Sequence, residues 1–252
     1  MALDEAISEA VRKGLSPPTM RFYQWDKPSI SIGYFQRASD INIHYCREMG
    51  YPIVRRPTGG RAILHNDDLT YSLSARFDTD TFKGNLLKDY SIISNALSMG
   101  MRLCGIHTTI NHSRRRNTER NPACFKFISY GEVTVEGKKI TGNAQKRYAD
   151  GFLQQGSITM TIDREGLRRV LNLPKEDFNE IAAIRDFAPE TTIDGLINAL
   201  KKAFEETLGV KLISDNPTRF EMRLAKELET KKYSTDGWNL SRHCPMKSSD
   251  QD

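Results

Sequence analysis

The sequence predicts an α+β chain in which mixed β-sheets pack with helices and a small α-rich unit follows. Three observations predict it. Between Met20 and Ala75, short runs rich in aromatic and β-branched residues are divided by Pro and Gly. From Leu86 to Cys104, apolar residues recur at helical spacing. After residue 190 the apolar period is helical throughout.

The first element is a helix over residues 2–13, with Leu3, Ile7, Ala10 and Val11 on one stripe and Gly14 as its stop. Pro17-Pro18 breaks the chain. Strands are then expected over Met20–Trp25, Ser29–Phe35, Pro52–Arg56, Ala62–His65 and Leu69–Ala75. A long helix carries Leu86, Tyr90, Ile93, Leu97, Met101 and Cys104, which places Cys104 in the core. The segment Gly131 to Gly137 alternates like strands at a tight turn, with arms at Val133–Val135 and Lys139–Gln145. A strand over Phe152–Ile162 precedes a helix capped by Asp163 and running to Leu171. The texture changes near 173–190, so a larger domain is expected over 1–175 and a helical unit over 190–244. In that unit, one helix holds Ile193, Ile197, Leu200, Phe204 and Leu208 before Gly209. Thr218-Arg219-Phe220-Glu221 opens another as a capping box. Residues 245–252 are polar and expected to fray.

A length of 252 residues suits one large domain, or one domain with an appendage. Hydrophobic residues make up 38% and charged residues 27%, and no apolar run reaches the ~20 residues of a membrane span. Met1 to Glu5 is acidic, unlike a secretory signal. Cys46, Cys104, Cys124 and Cys244 are scattered, which argues against zinc and disulfides and fits a reducing cytoplasm. The net charge of +5 suits an anionic partner. Its densest cluster, Arg114-Arg115-Arg116 with Arg120, reads either as a contact for such a partner or as a solvated loop. No aromatics interleave with it as in a nucleic-acid module.

Two segments carry chemistry. In Arg55-Arg56-Pro57-Thr58-Gly59-Gly60-Arg61-Ala62-Ile63-Leu64-His65, the glycines let backbone approach a ligand, and three arginines with a histidine favour an anionic part. Asn121-Pro122-Ala123-Cys124-Phe125 offers a candidate nucleophile. Lys139, fifteen residues after Cys124 on a strand, can lower a thiol pKa or polarise an acyl group. His65 reads as a general base, a ligand-orienting group or a hydrogen-bonded structural residue. Asp67-Asp68 reads as capping or solvent-facing, with no metal, and Trp238 as packing.

These stretches, with Lys139-Ile140-x-Gly142-x-Ala144-Gln145 and Gln155-Gly156-Ser157-Ile158, resemble the biotin/lipoate ligase-like superfamily. Within it they are most similar to the cysteine-dependent, LipM-type octanoyltransferases, from Met1 to about Trp238. The resemblance implies that fold and an octanoyl group carried on Cys124 as a thioester. It places Lys139 beside the thioester carbonyl and Gly59 and Gly60 along an acyl tunnel. Arg56, Arg61, His65, Gly142, Ala144 and Gly156 become further substrate-binding positions. It implies no cofactor and no metal. The donor would be an octanoyl-acyl carrier protein and the acceptor a lipoyl domain or glycine-cleavage H protein, with neither nucleic acid nor membrane involved.

ATP-dependent lipoate ligases usually have a third glycine at Arg61 and lack the cysteine, so both departures favour transfer. A glycine inserted in Ser129-Tyr130-Gly131-Glu132 leaves the role of Glu132 open. Relatives commonly carry a strand before the first helix, so the chain is expected to begin late. The rival readings are a lipoate ligase, an amidotransferase between carrier domains, and a scaffold that binds acylated domains without turnover.

Overall fold

The computed structural model describes residues 1–112, 130–172 and 180–243. Its helices are α1 (Ala2–Arg12), α2 (Ile43–Glu48), α3 (Leu86–Leu103), α4 (Arg164–Leu171), α5 (Ile193–Leu208), α6 (Arg219–Leu228) and α7 (Asp236–Ser241). Its strands begin with β1 (Thr19–Tyr23), β2 (Ser29–Ile32), β3 (Ile53–Arg55), β4 (Ile63–His65) and β5 (Asp68–Arg76). They continue with β6 (Thr109–Ile110), β7 (Val133–Val135), β8 (Lys138–Lys139), β9 (Thr141–Arg147) and β10 (Gly151–Thr159).

The described strands form three sheets. The main sheet is antiparallel in the order β1-β5-β10-β9. In the second, β2 runs parallel to β3 and antiparallel to β4. The third is the antiparallel set β6-β7-β8. Glu136 and Gly137, both at positive φ (48° and 75°), turn β7 into β8 as a tight hairpin requires. The expected arm Lys139–Gln145 is split: Lys138–Lys139 pairs with β7, and after Ile140 the chain joins the main sheet.

The main core lies between the large sheet and α3, where Ile93, Leu97 and Met101 are fully buried beneath Leu69, Tyr71 and Phe152. The stripe of α3 starts later than expected, since Leu86 in its first turn is exposed. Helix α5 lies along α3 and adds Leu196, Leu200 and Phe204 to the same core. Helix α6 packs on α1, and α7 packs on β3. The helices beyond residue 190 therefore share cores with the residues before 175. Several strands are shorter than their apolar runs: β1 stops at Tyr23, β2 at Ile32 and β10 at Thr159. Asp163 caps α4 at the Gly166 amide, and Gly209 ends α5 in the left-handed conformation, as the sequence predicts.

Candidate active site

The glycine loop joins β3 to β4 and is built around Arg56. The Arg56 guanidinium donates through Nη1 to the Ser31 carbonyl (2.9 Å) and Oγ (2.6 Å). Through Nη2 it donates to the carbonyls of Gly59 (3.1 Å) and Arg61 (2.8 Å). Arg56 thus shapes the loop from within, where the sequence suggests a charge for an anionic ligand. On the other side, Thr58 Oγ1 donates to Gln155 (2.9 Å), and Gln155 donates to the buried carboxylate of Asp4 (2.7 Å).

Gly33 completes the loop's support. A Cβ there would sit 1.8 Å from the Gly60 carbonyl oxygen, so only glycine lets β2 pass so close. Sequence reasoning missed Gly33, for which the one signal was a glycine ending a β-branched run.

A cleft of ≈ 430 Å³, counting its open mouth, lies between this loop and the main sheet, and its surface is apolar. Arg56, Gly60, Arg61, His65, Lys139, Gly142, Ala144 and Gly156 all line it. Gly59 shapes the loop without facing the cleft, and Cys124 lies outside the described residues, as do Cys244, Arg114–Arg116, Arg120 and residues 245–252. Gly156 is forced by packing, because a Cβ would fall 2.2 Å from the Tyr71 ring and 2.4 Å from Asn143 Oδ1. Met1, Ile63, Thr70, Asn143, Gln155 and Ser157 complete the wall.

Lys139 projects into this apolar setting and is 2% exposed, whereas its neighbour Lys138 faces solvent. Its ammonium is paired with Glu132 across the β7–β8 hairpin, which gives that acid a place. In a buried pair of this kind the opposite charge offsets part of the cost of taking an ammonium out of water. A fixed positive charge beside an apolar slot can stabilise a developing oxyanion or a thiolate.

His65 and Asp68 are buried together. Asp68 Oδ2 accepts from His65 Nδ1 (2.8 Å), Thr70 Oγ1 (2.9 Å) and Ser157 Oγ (2.7 Å). Burial works to raise the Asp68 carboxyl, but His65 and these hydroxyls outweigh it and hold it below its ordinary value. The expectation that Asp68 caps or faces solvent is therefore corrected; Asp67, by contrast, sits at the rim and binds Arg185 (2.7 Å) and Thr161 (2.8 Å). A second cleft of ≈ 440 Å³ lies beyond the shared wall of Ile63 and Ser157 and gathers Asp67, Asp68 and Asp163. None of the nine described residues singled out for acyl chemistry lines it. Among the described residues no group of His, Cys, Asp or Glu is placed to hold a metal ion. No described helix is long and apolar enough to cross a membrane.

Two of the four thiols are unsuited to attack. Burial pushes Cys46 up to about 11 and raises Cys104 as well. A nucleophilic thiol needs the opposite shift.

This glycine-walled cleft with a buried lysine sits in a chain whose residues 1–205 match the lipoyl protein ligase A/B catalytic domain. The chain belongs to that family. It is 38% identical to the octanoyltransferase LipM of Kyrpidia tusciae, over 96% of this chain and 94% of that one. It is 37% identical, with the same coverage, to the LipM of Brevibacillus brevis. A solved lipoate-protein ligase A bound with ATP superposes with a TM-score of 0.82 at 29% identity, covering 95% of this chain and 92% of that chain. The lipoate ligase solved with its E2 lipoyl domain from Thermoplasma acidophilum gives 0.80 at 28%, covering 99% and 92%. The chain is an acyltransferase, and octanoyl transfer in protein lipoylation is its activity.

Proposed function

We propose that octanoyl transfer here runs through a thioester on Cys124, from an octanoyl-acyl carrier protein to a lysine of a lipoyl domain or glycine-cleavage H protein. The observation that carries this reading is Lys139, paired with Glu132 at the wall of an apolar cleft lined by Gly60, Gly142 and Gly156. Such a cleft suits an aliphatic chain: the seven carbons beyond an octanoyl carbonyl are worth ~0.8 kcal/mol each when buried.

In the first half-reaction the Cys124 thiolate attacks the donor carbonyl carbon. The new C–S bond replaces the old one, and the carrier thiolate leaves and takes a proton. In the second, the acceptor amine attacks the acyl-enzyme carbonyl, loses a proton and expels the Cys124 thiolate as an amide forms. Neither half needs ATP, because the acyl group arrives activated. Lys139 stabilises the oxyanion of each tetrahedral intermediate. The net charge of +5 steers acidic carrier proteins to the enzyme.

The test is incubation with octanoyl-carrier protein without ATP, followed by mass analysis. One octanoyl adduct on Cys124, lost in Cys124→Ala together with transfer, is expected. Transfer by the alanine variant at the wild-type rate would sink the covalent route.

The likeness to an ATP-bound lipoate-protein ligase supports a second reading, direct ligation. Labelling of an acceptor lysine only with free octanoate or lipoate and Mg-ATP would establish it. An octanoylated H protein that serves as donor in place of the carrier protein would instead indicate amidotransfer through the same cysteine.

A further inference from the structure

Behind the cleft wall runs a chain of buried hydrogen bonds whose directions are fixed by chemistry. Arg56 can only donate, so Ser31 Oγ accepts from Nη1 at 2.6 Å. Asp68 Oδ2 already accepts from the Thr70 and Ser157 hydroxyls, so His65 Nδ1 carries the proton of the 2.8 Å bond to it. Between them, Ser31 Oγ and His65 Nε2 lie 2.6 Å apart. The hydroxyl has one hydrogen, and directing it to Nε2 satisfies both groups. The ring is then the neutral Nδ1–H tautomer. Trp25 clamps it from one face, stacked at 4.3 Å, and its indole N–H donates to Thr70 Oγ1 (2.9 Å), which itself donates to Asp68.

We propose that Asp68, His65 and Ser31 form a positioning relay that holds the Arg56 guanidinium in place and, through it, sets the width of the acyl slot. The link to the slot is direct, because the same guanidinium ties the carbonyls of Gly59 and Arg61. Ser31 and Asp68 act through Arg56 rather than on substrate. His65, though it lines the cleft, has both ring nitrogens engaged and is not a general base. The arrangement has the order of a Ser-His-Asp triad without its function: Ser31 is fully buried and its oxygen already accepts from an arginine. The proposal rests on reading the cleft as the acyl slot.

Three measurements test it. In the wild-type protein at neutral pH, the His65 ring nitrogens, assigned by NMR through the residue's own backbone resonances, should report the neutral Nδ1–H tautomer. An Nε2–H tautomer or a doubly protonated ring overturns the relay. In steady-state transfer, Ser31→Ala should raise the KM for the octanoyl donor roughly fivefold, the worth of about one hydrogen bond. It should leave kcat within about twofold, since only ground-state positioning is lost. It should also flatten the preference for octanoyl over hexanoyl and decanoyl donors. Unchanged KM and chain-length preference, or a fall in kcat alone, refutes the proposal. If Ser31→Ala does not fold, the tautomer decides. Gly142→Leu separates this from the slot reading: it fills the cleft without touching the relay, and octanoyl transfer that survives it shows that the cleft is not where the acyl chain binds.

Discussion

Lys139 and Asp4 show how single side chains set the behaviour of this protein. Lys139 alternates with Lys138 on β8, one side chain inward and the other outward, as a strand demands. Lys139→Ala should therefore lower octanoyl transfer by ~10²–10⁴-fold, the range for losing a group that acts on a proton or charge in the transition state. Lys138→Ala should stay within about twofold in the same steady-state assay, and the reverse order would show the wrong lysine assigned. Asp4 is fully buried, and burial works to raise its carboxyl. The Met1 ammonium, then Arg21, Gln155 and Tyr23, prevail and hold it below its ordinary 3.8. A depressed carboxyl stabilises the fold above its unfolded-state pKa, and that contribution is lost as pH falls through the folded value. Urea unfolding should accordingly show stability falling below about pH 5, and Asp4→Asn, weaker at neutral pH, should fall less steeply. The importance of Asp4 was not legible in the sequence. An acid in the first turn of a helix reads as a dipole partner, and only the fold brings Arg21, Ser72 and Gln155 onto it.

Elements whose signals are local were readable, and those defined by partners were not. The caps of α4, α5 and α6 lie within three or four residues of the helices they start or stop, so Asp163, Gly209 and the Thr218–Glu221 box announced themselves. Thr218 Oγ1 accepts from the Glu221 amide, and Glu221 accepts from the Thr218 amide in return (2.7 Å). Thr218→Ala should cost about 1 kcal/mol, seen as a lower urea midpoint with an unchanged slope, while transfer activity at assay temperature stays intact. Helices α2 and α7 span six residues each, too few for a period to show, although Asn42 and Thr235 cap them. The division of residues 138–147 between two sheets was also hidden. Periodicity records which side of a strand is apolar, not which strand lies beside it. Of the site, the glycines, Lys139 and His65 were legible as motif. Gly33, Ser31 and Asp68 were not, because a packing partner distant in sequence leaves no local mark.

Across the whole molecule, the glycine loop depends on both flanks of the chain. From one side Asp4 in α1 reaches Thr58 through Gln155. From the other, α7 holds the strand that leads into the loop. Trp238 donates its indole N–H to the Arg55 carbonyl (3.0 Å), and Asn239 accepts the Arg55 amide (3.0 Å). The Arg55 guanidinium, 1% exposed, donates to carbonyls of Gly33, Tyr34, Gln36, Trp238 and Leu240. Trp238 is a packing residue, as expected, and a hydrogen-bonding one as well. A lysine cannot reproduce this fan of planar donors. Arg55→Lys should lower stability by on the order of 3 kcal/mol, read from urea unfolding. It should also weaken octanoyl transfer at temperatures where the wild type is fully folded; a variant as stable as wild type would show that the carbonyls find other donors.

That latch has a consequence in time. Arg55 meets its tryptophan partner 183 positions further along the chain. On a ribosome the glycine loop therefore emerges long before the helix that secures its base. Until Trp238 and Asn239 arrive, Arg55 can reach the carbonyls of Gly33, Tyr34 and Gln36 but lacks the partners of its own amide and carbonyl, and the slot beside it is only half secured. The slot then takes its shape only once α7 has been translated, and a premature stop anywhere upstream of α7 silences the enzyme instead of merely weakening it.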